Sequence, residues 1–168
     1  MLILRWSKCT CVAAVALYAS LVAFGNLSDY GSNLAFVQHV LAMDTIFADS
    51  TIRWRAIEQP ALQHLAYAAI IAGEAITAGL CWFGAWRMWR QRHAAATRFQ
   101  HAKAWAIGGL TLGFVVWQVG FMSIGGEWFG MWMSSQWNGS ESAFRCFMLI
   151  LCVLIFVSLR DDEFVAPP

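Results

Sequence analysis

Four stretches of this chain are long and apolar enough to cross a lipid bilayer, and no other feature limits its fold so strongly. A helix needs about 20 mostly apolar residues to traverse the hydrocarbon core. Residues 9–28 and 104–126 supply such runs without a charged side chain. Residues 61–86 carry one charge, Glu74, and residues 142–159 carry Arg145 near their start. Backbone amides in hydrocarbon find no water to bond, so an isolated span must be helical. The expected fold is therefore an all-α membrane protein, a four-transmembrane-helix bundle forming one membrane domain over residues 1–168. Outer loops are expected at 29–60 and 127–141, and a cytoplasmic loop at 87–103.

Composition agrees. The chain is 60% hydrophobic and 12% charged, against about 25% charged in an average soluble domain. That excludes a disordered chain, which needs low hydrophobicity and high charge. A net charge of +1 argues against nucleic acid as a partner. Ten Trp and twelve Phe fit aromatic belts at the membrane surfaces.

Orientation follows from the basic residues. Arg5, Lys8, Arg87, Arg90, Arg92, Arg98, Lys103 and Arg160 fall on one side, and only Arg53, Arg55 and Arg145 on the other. The positive-inside rule then places both termini in the cytoplasm. Arg5 and Lys8 before an apolar run invite a signal-peptide reading. Cleavage after Ala19 or Ala23 would need small residues where Leu17 and Leu21 stand, so an uncleaved first helix is expected.

The first outer loop is long for a connector, and such loops usually carry structure or function. Ser32 or Asn33 can cap a helix, and Phe36, Val37, Val40, Leu41, Thr45 and Phe47 follow at roughly helical spacing. An amphipathic helix is expected here, on the outer leaflet or across the bundle mouth. Trp54 and Trp128 would sit at the interface, and Pro60 suits the first turn of the second span. In the second outer loop, Gly125-Gly126 suggests a tight exit from the third span, and Asn138-Gly139 signals a turn. Trp128, Trp132 and Trp137 are either belt anchors packed on the other loop or a ligand-facing wall.

Glu74 is the residue in the wrong solvent. A charge at mid-bilayer costs about 2.5–3.5 kcal/mol on insertion scales, so such a residue faces the bundle and has a partner. Tyr18, Thr77 and Gln118 lie at similar depth, and a protonated Glu74 donating to Gln118 or Tyr18 is expected. Its role is either a clamp between helices or a proton or ligand site. Gly109, Gly113 and Gly120 share one face at a spacing that lets helices approach closely.

Other chemistry finds little support. Cys9, Cys11, Cys81, Cys146 and Cys152 contain no CxxC and are read as small packing residues. His39 and His64 are the haem candidates, both on the outer side. Asp29, His39, Asp44 and Glu127 have the ligand types for a divalent metal but match no ligand spacing. The expectation is no cofactor. No hydrolase, nucleotide or zinc-protease motif is present in the sequence.

The runs Asn26-Leu-Ser-Asp-Tyr-Gly-Ser-Asn33 through Asp44-Thr45, Trp54-Arg55-Ala-Ile57, Gly125-Gly-Glu127-Trp128-Phe129 and Trp137-Asn138-Gly139 resemble the DUF2165 family. That family is described as predicted small integral membrane proteins of bacteria, with no assigned function. The resemblance spans roughly residues 5 to 160 and implies four spans and a bacterial inner membrane. It also draws attention to a polar set on the outer face: Asn26, Asp29, Asn33, His39, Asp44, Trp54, Arg55, Glu127, Trp128 and Asn138. Asp44 and Arg55 are expected to pair across the loop.

Three functional readings follow. The first is a non-enzymatic accessory or assembly component whose outer loops dock a membrane or periplasmic protein. The second is a small-molecule binder or transporter with an outer vestibule and Glu74 as a proton-linked group, acting as a homo-oligomer through Gly109 and Gly113. The third is an enzyme acting on a lipid or quinone, with His39 and Asp44 or Glu127 as acid and base. Membrane lipids are partners in every case.

Overall fold

The computed structural model of the protein describes residues 2–161. In chain order the helices are α1 (Leu2–Ser28), α2 (Tyr30–Ala42), α3 (Pro60–Arg90), α4 (Ala96–Ala102), α5 (Ala104–Phe114) and α6 (Ser140–Ser158). α5 runs on without a break as a π-helix over Val115–Trp128. Among the described residues there is no strand.

Four helical stretches are long and apolar enough to span a membrane: Leu2–Ser28, Pro60–Arg90, Ala96–Trp128 and Ser140–Ser158. Only 22–33% of each apolar window is buried inside the bundle. The rest is partly or fully uncovered, with Leu17, Leu21, Phe24, Leu65, Ile76, Leu149 and Ile155 all exposed. A water-soluble protein does not leave so large an apolar surface uncovered. The chain is an integral membrane protein, and lipid covers this exterior.

The spans run antiparallel in the order α1, α3, α5, α6, and α6 closes back on α1. Without a hydrophobic drive between helices in lipid, small side chains and close backbone contact supply the packing. Ala16 and Ala19 of α1, and Ala78, Cys81 and Ala85 of α3, are buried in one core with Ala106 and Leu110 of α5. A Cβ on Gly84 would fall on the Ala106 backbone, and one on Gly109 would lie 2.8 Å from the Cys81 sulfur. A Cβ on Gly113 would meet the Thr77 methyl at 3.0 Å. Gly120 does not belong with them, contrary to the expectation from spacing. A Cβ there meets nothing within 4 Å. The i→i+5 winding that begins at Val115 turns each residue through a smaller angle than an α-helix does. It therefore carries Gly120 off the packed face.

Two faces of the bundle follow from this topology. Both described chain ends and α4 lie on the terminal face. The two longer connectors, α2 among them, lie on the loop face.

α2 starts earlier than expected. Only Asp29, at φ −120° and ψ 54°, separates it from α1, and no side chain caps it. Ser32 and Asn33 are inside its first turn, where Asn33 donates to the Asp29 carbonyl at 3.0 Å. It also ends earlier, because Met43 adopts a left-handed conformation at φ 52°. Thr45 and Phe47 therefore leave the helical stripe. Leu34, Val37, Val40 and Leu41 pack instead with Tyr67 and Ile71 of α3, and with Phe129 and Met131. Gly125 and Gly126 do not form the exit from the third span. They are wound into the π-helix, whose last turn shows as Phe129 N–H to Ile124 O at 3.0 Å. The turn falls on Gly130, at φ +67°.

Candidate functional site

Each tryptophan of the second connector meets a ring of the first. Trp128 lies 6.1 Å from Trp54, Trp132 lies 5.8 Å from Phe47, and Trp137 stacks on His39 at 4.5 Å. Phe36 adds an edge contact to Trp137 at 6.3 Å. Hydrogen bonds fix the same junction. Arg55 donates to the Trp128 carbonyl at 3.2 Å and covers the Trp54 and Trp128 rings at 5.4 and 4.6 Å. The Thr45 hydroxyl donates to Ser134 at 2.9 Å, and Ser134 accepts from the Trp137 amide at 2.8 Å. Asn138 donates to the Trp132 carbonyl at 3.3 Å and accepts from the Ser140 amide at 3.0 Å, where α6 begins. The two connectors form one folded cap.

The expected Asp44–Arg55 pair is not formed. The left-handed turn at Met43 folds Asp44 back on its own helix, where its carboxylate sits 2.7 Å from His39 Nδ1. Arg55 lies in the short 3-10 turn Arg53–Arg55 and is taken up by the tryptophans. His64 is engaged elsewhere, with Tyr30 Oη 2.8 Å from its Nδ1. Asp29 and Glu127 are exposed. Among the described residues no three His, Cys, Asp or Glu are grouped to hold a metal ion, so Asp29, His39, Asp44 and Glu127 are not brought together as a ligand set.

Glu74 is 1% exposed and bonded, but to neither expected partner. Its carboxyl accepts from the Asn26 side chain at 2.7 Å, and Tyr67 Oη donates to the Asn26 carbonyl at 2.8 Å. Asn26 lies near the loop-face end of α1, so the node ties α1 to α3. Matching depth by counting along each span missed it. Asn26 and Glu74 meet because α1 and α3 pack face to face. Tyr18 pairs with Cys146 of α6 at 2.7 Å, and its ring lies 6.0 Å from Trp117. Gln118 accepts through its main-chain carbonyl from the Ser123 hydroxyl. Thr77 is buried beside Gly113, and its hydroxyl has no partner among the described residues.

Between α2, α3 and the π-helix lies an apolar cavity of about 200 Å³. Phe36, Val40, Ile70, Gly120, Phe121 and Met131 are among its walls. The absent side chain of Gly120 helps keep it open. Pockets of this kind, apolar with a few rings, commonly take small apolar ligands.

A second constellation sits on the terminal face, where Arg5, Lys8 and Lys103 stood out in the sequence only as topology signals and Asp161 not at all. Lys8 and Lys103, 3% and 0% exposed, both donate to the Leu159 carbonyl, at 2.7 and 2.8 Å. Both also pair with Asp161. Arg5 donates to the Ala94 carbonyl at 2.6 Å and lies 4.8 Å over the buried Phe99 ring. These bonds bind the start of α1, the start of α5 and the end of α6. A periodic signal was available. Arg5, Lys8, Val12, Val15, Ala19 and Ala23 fall on one helical face, and all are buried.

The structure thus defines a four-span integral membrane protein with a folded cap on one face and a charge clasp on the other. Residues 4–160, nearly the whole chain, match the family described as predicted small integral membrane protein (DUF2165), and the chain belongs to it. No curated protein and no solved structure matches the chain.

Proposed function

We propose that the protein is a non-enzymatic accessory or assembly component that docks a partner protein through its loop-face cap. One observation carries this reading. The two connectors are locked together by the three ring pairs and by the Arg55 and Thr45 bonds. Trp54, Trp132 and Phe47 still stand 73%, 49% and 53% exposed on that locked surface. Rigid exposed aromatics are the side chains that anchor interfaces, because they bury much area at little entropic cost. The acids around them, Asp49, Glu58 and Glu127, are exposed. They suit a partner with an apolar centre and a basic rim.

The proposal places the protein in a bacterial inner membrane with its loop face outward. That orientation is supported by the exposed Arg87, Arg90, Arg98 and Arg160 of the terminal face. Homo-oligomerisation through Gly109 and Gly113 loses its seam, because both glycines already meet α3 inside the bundle.

Native mass spectrometry after gentle extraction tests the proposal. A stoichiometric second protein is expected with the wild type and is expected to be lost in a Trp54→Ala/Trp132→Ala variant. A bare monomer, or a partner retained unchanged by the variant, overturns it.

The apolar cavity favours a second reading, a binder of a small apolar molecule. In the same spectra it predicts a bound lipid-like mass that disappears when Gly120→Leu fills the cavity.

A further inference from the structure

Seven of the eleven basic side chains are occupied within the fold. Arg5, Lys8 and Lys103 bond the helix ends, Arg53 bonds the Ile46 carbonyl, and Arg55 bonds Trp128. Arg92 bonds the Trp89 carbonyl, and Arg145 pairs with Glu141. Arg87, Arg90, Arg98 and Arg160 have no hydrogen bond or ion pair among the described residues, and all four are exposed on the terminal face. Three of them converge. Arg87 and Arg90 line one groove with Phe83, Trp86 and Gln91, of about 380 Å³. Arg87 and Gln91 also line the adjoining groove with Arg98, His101 and Ala102, of about 340 Å³. Arg160 lines a separate hollow beside Ala96 and Thr97.

The walls of the shared groove have two characters. Arg87 lies 5.9 Å over the Phe83 ring and Arg90 lies 5.2 Å over the Trp86 ring. Such contacts hold a guanidinium in place by one face and leave its edge N–H donors free. Toward the bilayer, Phe83 stacks on Trp86 at 5.6 Å and meets Trp105 edge-on at 5.3 Å, and all three rings are exposed. Donors that match phosphate oxygens therefore stand at the membrane surface, directly above an aromatic wall that faces the acyl chains.

We infer that the groove formed by Arg87, Arg90, Arg98 and His101 is a binding site for the phosphate headgroup of an anionic phospholipid, with its acyl chains lying along Phe83, Trp86 and Trp105. The surrounding charge supports this occupant. The groove lining includes no carboxylate, so its positive charge is not neutralised within it. The site is separate from the loop-face cap and stands or falls independently of the proposed docking there.

The test is native mass spectrometry of the full chain in neutral detergent. Phosphatidylglycerol, phosphatidylcholine or inorganic phosphate is added in turn. The site predicts one tightly held phosphatidylglycerol, phosphatidylcholine bound at least about tenfold more weakly, and no retention of inorganic phosphate. Arg87→Gln and Arg98→Gln are each expected to weaken phosphatidylglycerol by about fivefold, the worth of one basic residue at an anionic surface. Arg145→Gln, which removes the same charge from the other face, is expected to leave the affinity unchanged. Equal binding of the two lipids, an equal loss from Arg145→Gln, or phosphate bound without lipid would each overturn the inference. If the groove variants do not fold, the wild-type preference between the two lipids still decides it.

Discussion

The terminal face is closed by charge. Lys8 and Lys103 share the Leu159 carbonyl and the Asp161 carboxylate, and Arg5 is drawn over Phe99 onto the carbonyls of the α3–α4 turn. The loop face is closed by rings and hydrogen bonds, Arg55 among the donors, with Trp54, Trp128, Trp132, Trp137 and Phe47 interleaved across two connectors. The bundle between them changes character in step. Near the terminal face Gly84 touches the Ala106 backbone. Near the loop face the third span widens into a π-helix and leaves a cavity of about 200 Å³. One end is held by a tight, buried clasp of charged side chains. The other is held by a folded cap of aromatic rings, with an apolar cavity beneath it. A helix bundle that only needs to hold together has no reason to make its ends so different. The clasp reads as structural, with lipid as the neighbour of the terminal face, and the cap as the surface that meets another protein.

The clasp is the place where a single change should cost most. Asp161→Ala leaves two buried ammonium groups with no counter-charge, only the shared Leu159 carbonyl and the Gln100 side chain on Lys103, and breaking a buried ion pair costs about 3–5 kcal/mol. Unfolding in mixed detergent micelles should show a drop of that size. A loss below about 1 kcal/mol, the scale of exposed pairs, would mean that the clasp is wet and weak. Gly84→Val comes next. It drives a side chain into the α5 backbone, and overpacking costs about 1–3 kcal/mol. At the loop end, Asn26→Leu strands the Glu74 carboxyl and should cost about 2 kcal/mol. Glu74→Gln keeps an amide oxygen for Asn26 and should be nearly neutral. If Glu74→Gln is as damaging as Asn26→Leu, the node depends on the acid itself and the proton-linked role regains weight. The smallest effect has the opposite sign. Gly120→Ala adds a methyl group that meets nothing and removes helix-interior glycine, a gain of about 0.5–1 kcal/mol. A loss there would show that the cavity is not open to it.

Much of the fold was legible because the bilayer imposes a length and a composition on each span. The four apolar runs, Pro60 at the start of α3 and the close approach at Gly109 and Gly113 follow from that constraint. The misses have a common origin. Spacing arguments assume one helical period, and the π-helix changes the period at Val115, which removed Gly120 from its expected face and moved the turn from Gly125 to Gly130. Depth matching assumes level spans, and it paired Glu74 with Tyr18 or Gln118 where packing paired it with Asn26. The outer-face polar residues were expected as one set, and the structure divides them: Asn26 bonds Glu74 between α1 and α3, Asp44 meets His39, and Arg55 and Asn138 bond within the cap. A single left-handed residue, Met43, decides that Asp44 meets His39 and frees Arg55 for the tryptophans. The clasp was hidden for a different reason. Its lysines entered only as topology signals, although Arg5 and Lys8 continue the buried stripe of α1.

Site-specific photo-crosslinking in intact membranes tests the difference between the two faces most directly. A photoreactive side chain at position 54 or 132 samples the cap, and one at position 86 samples the lipid-facing wall near the other end. The account predicts one discrete protein adduct from positions 54 and 132 and only lipid adducts from position 86. No protein adduct from the cap, or the same protein captured equally from position 86, would contradict it.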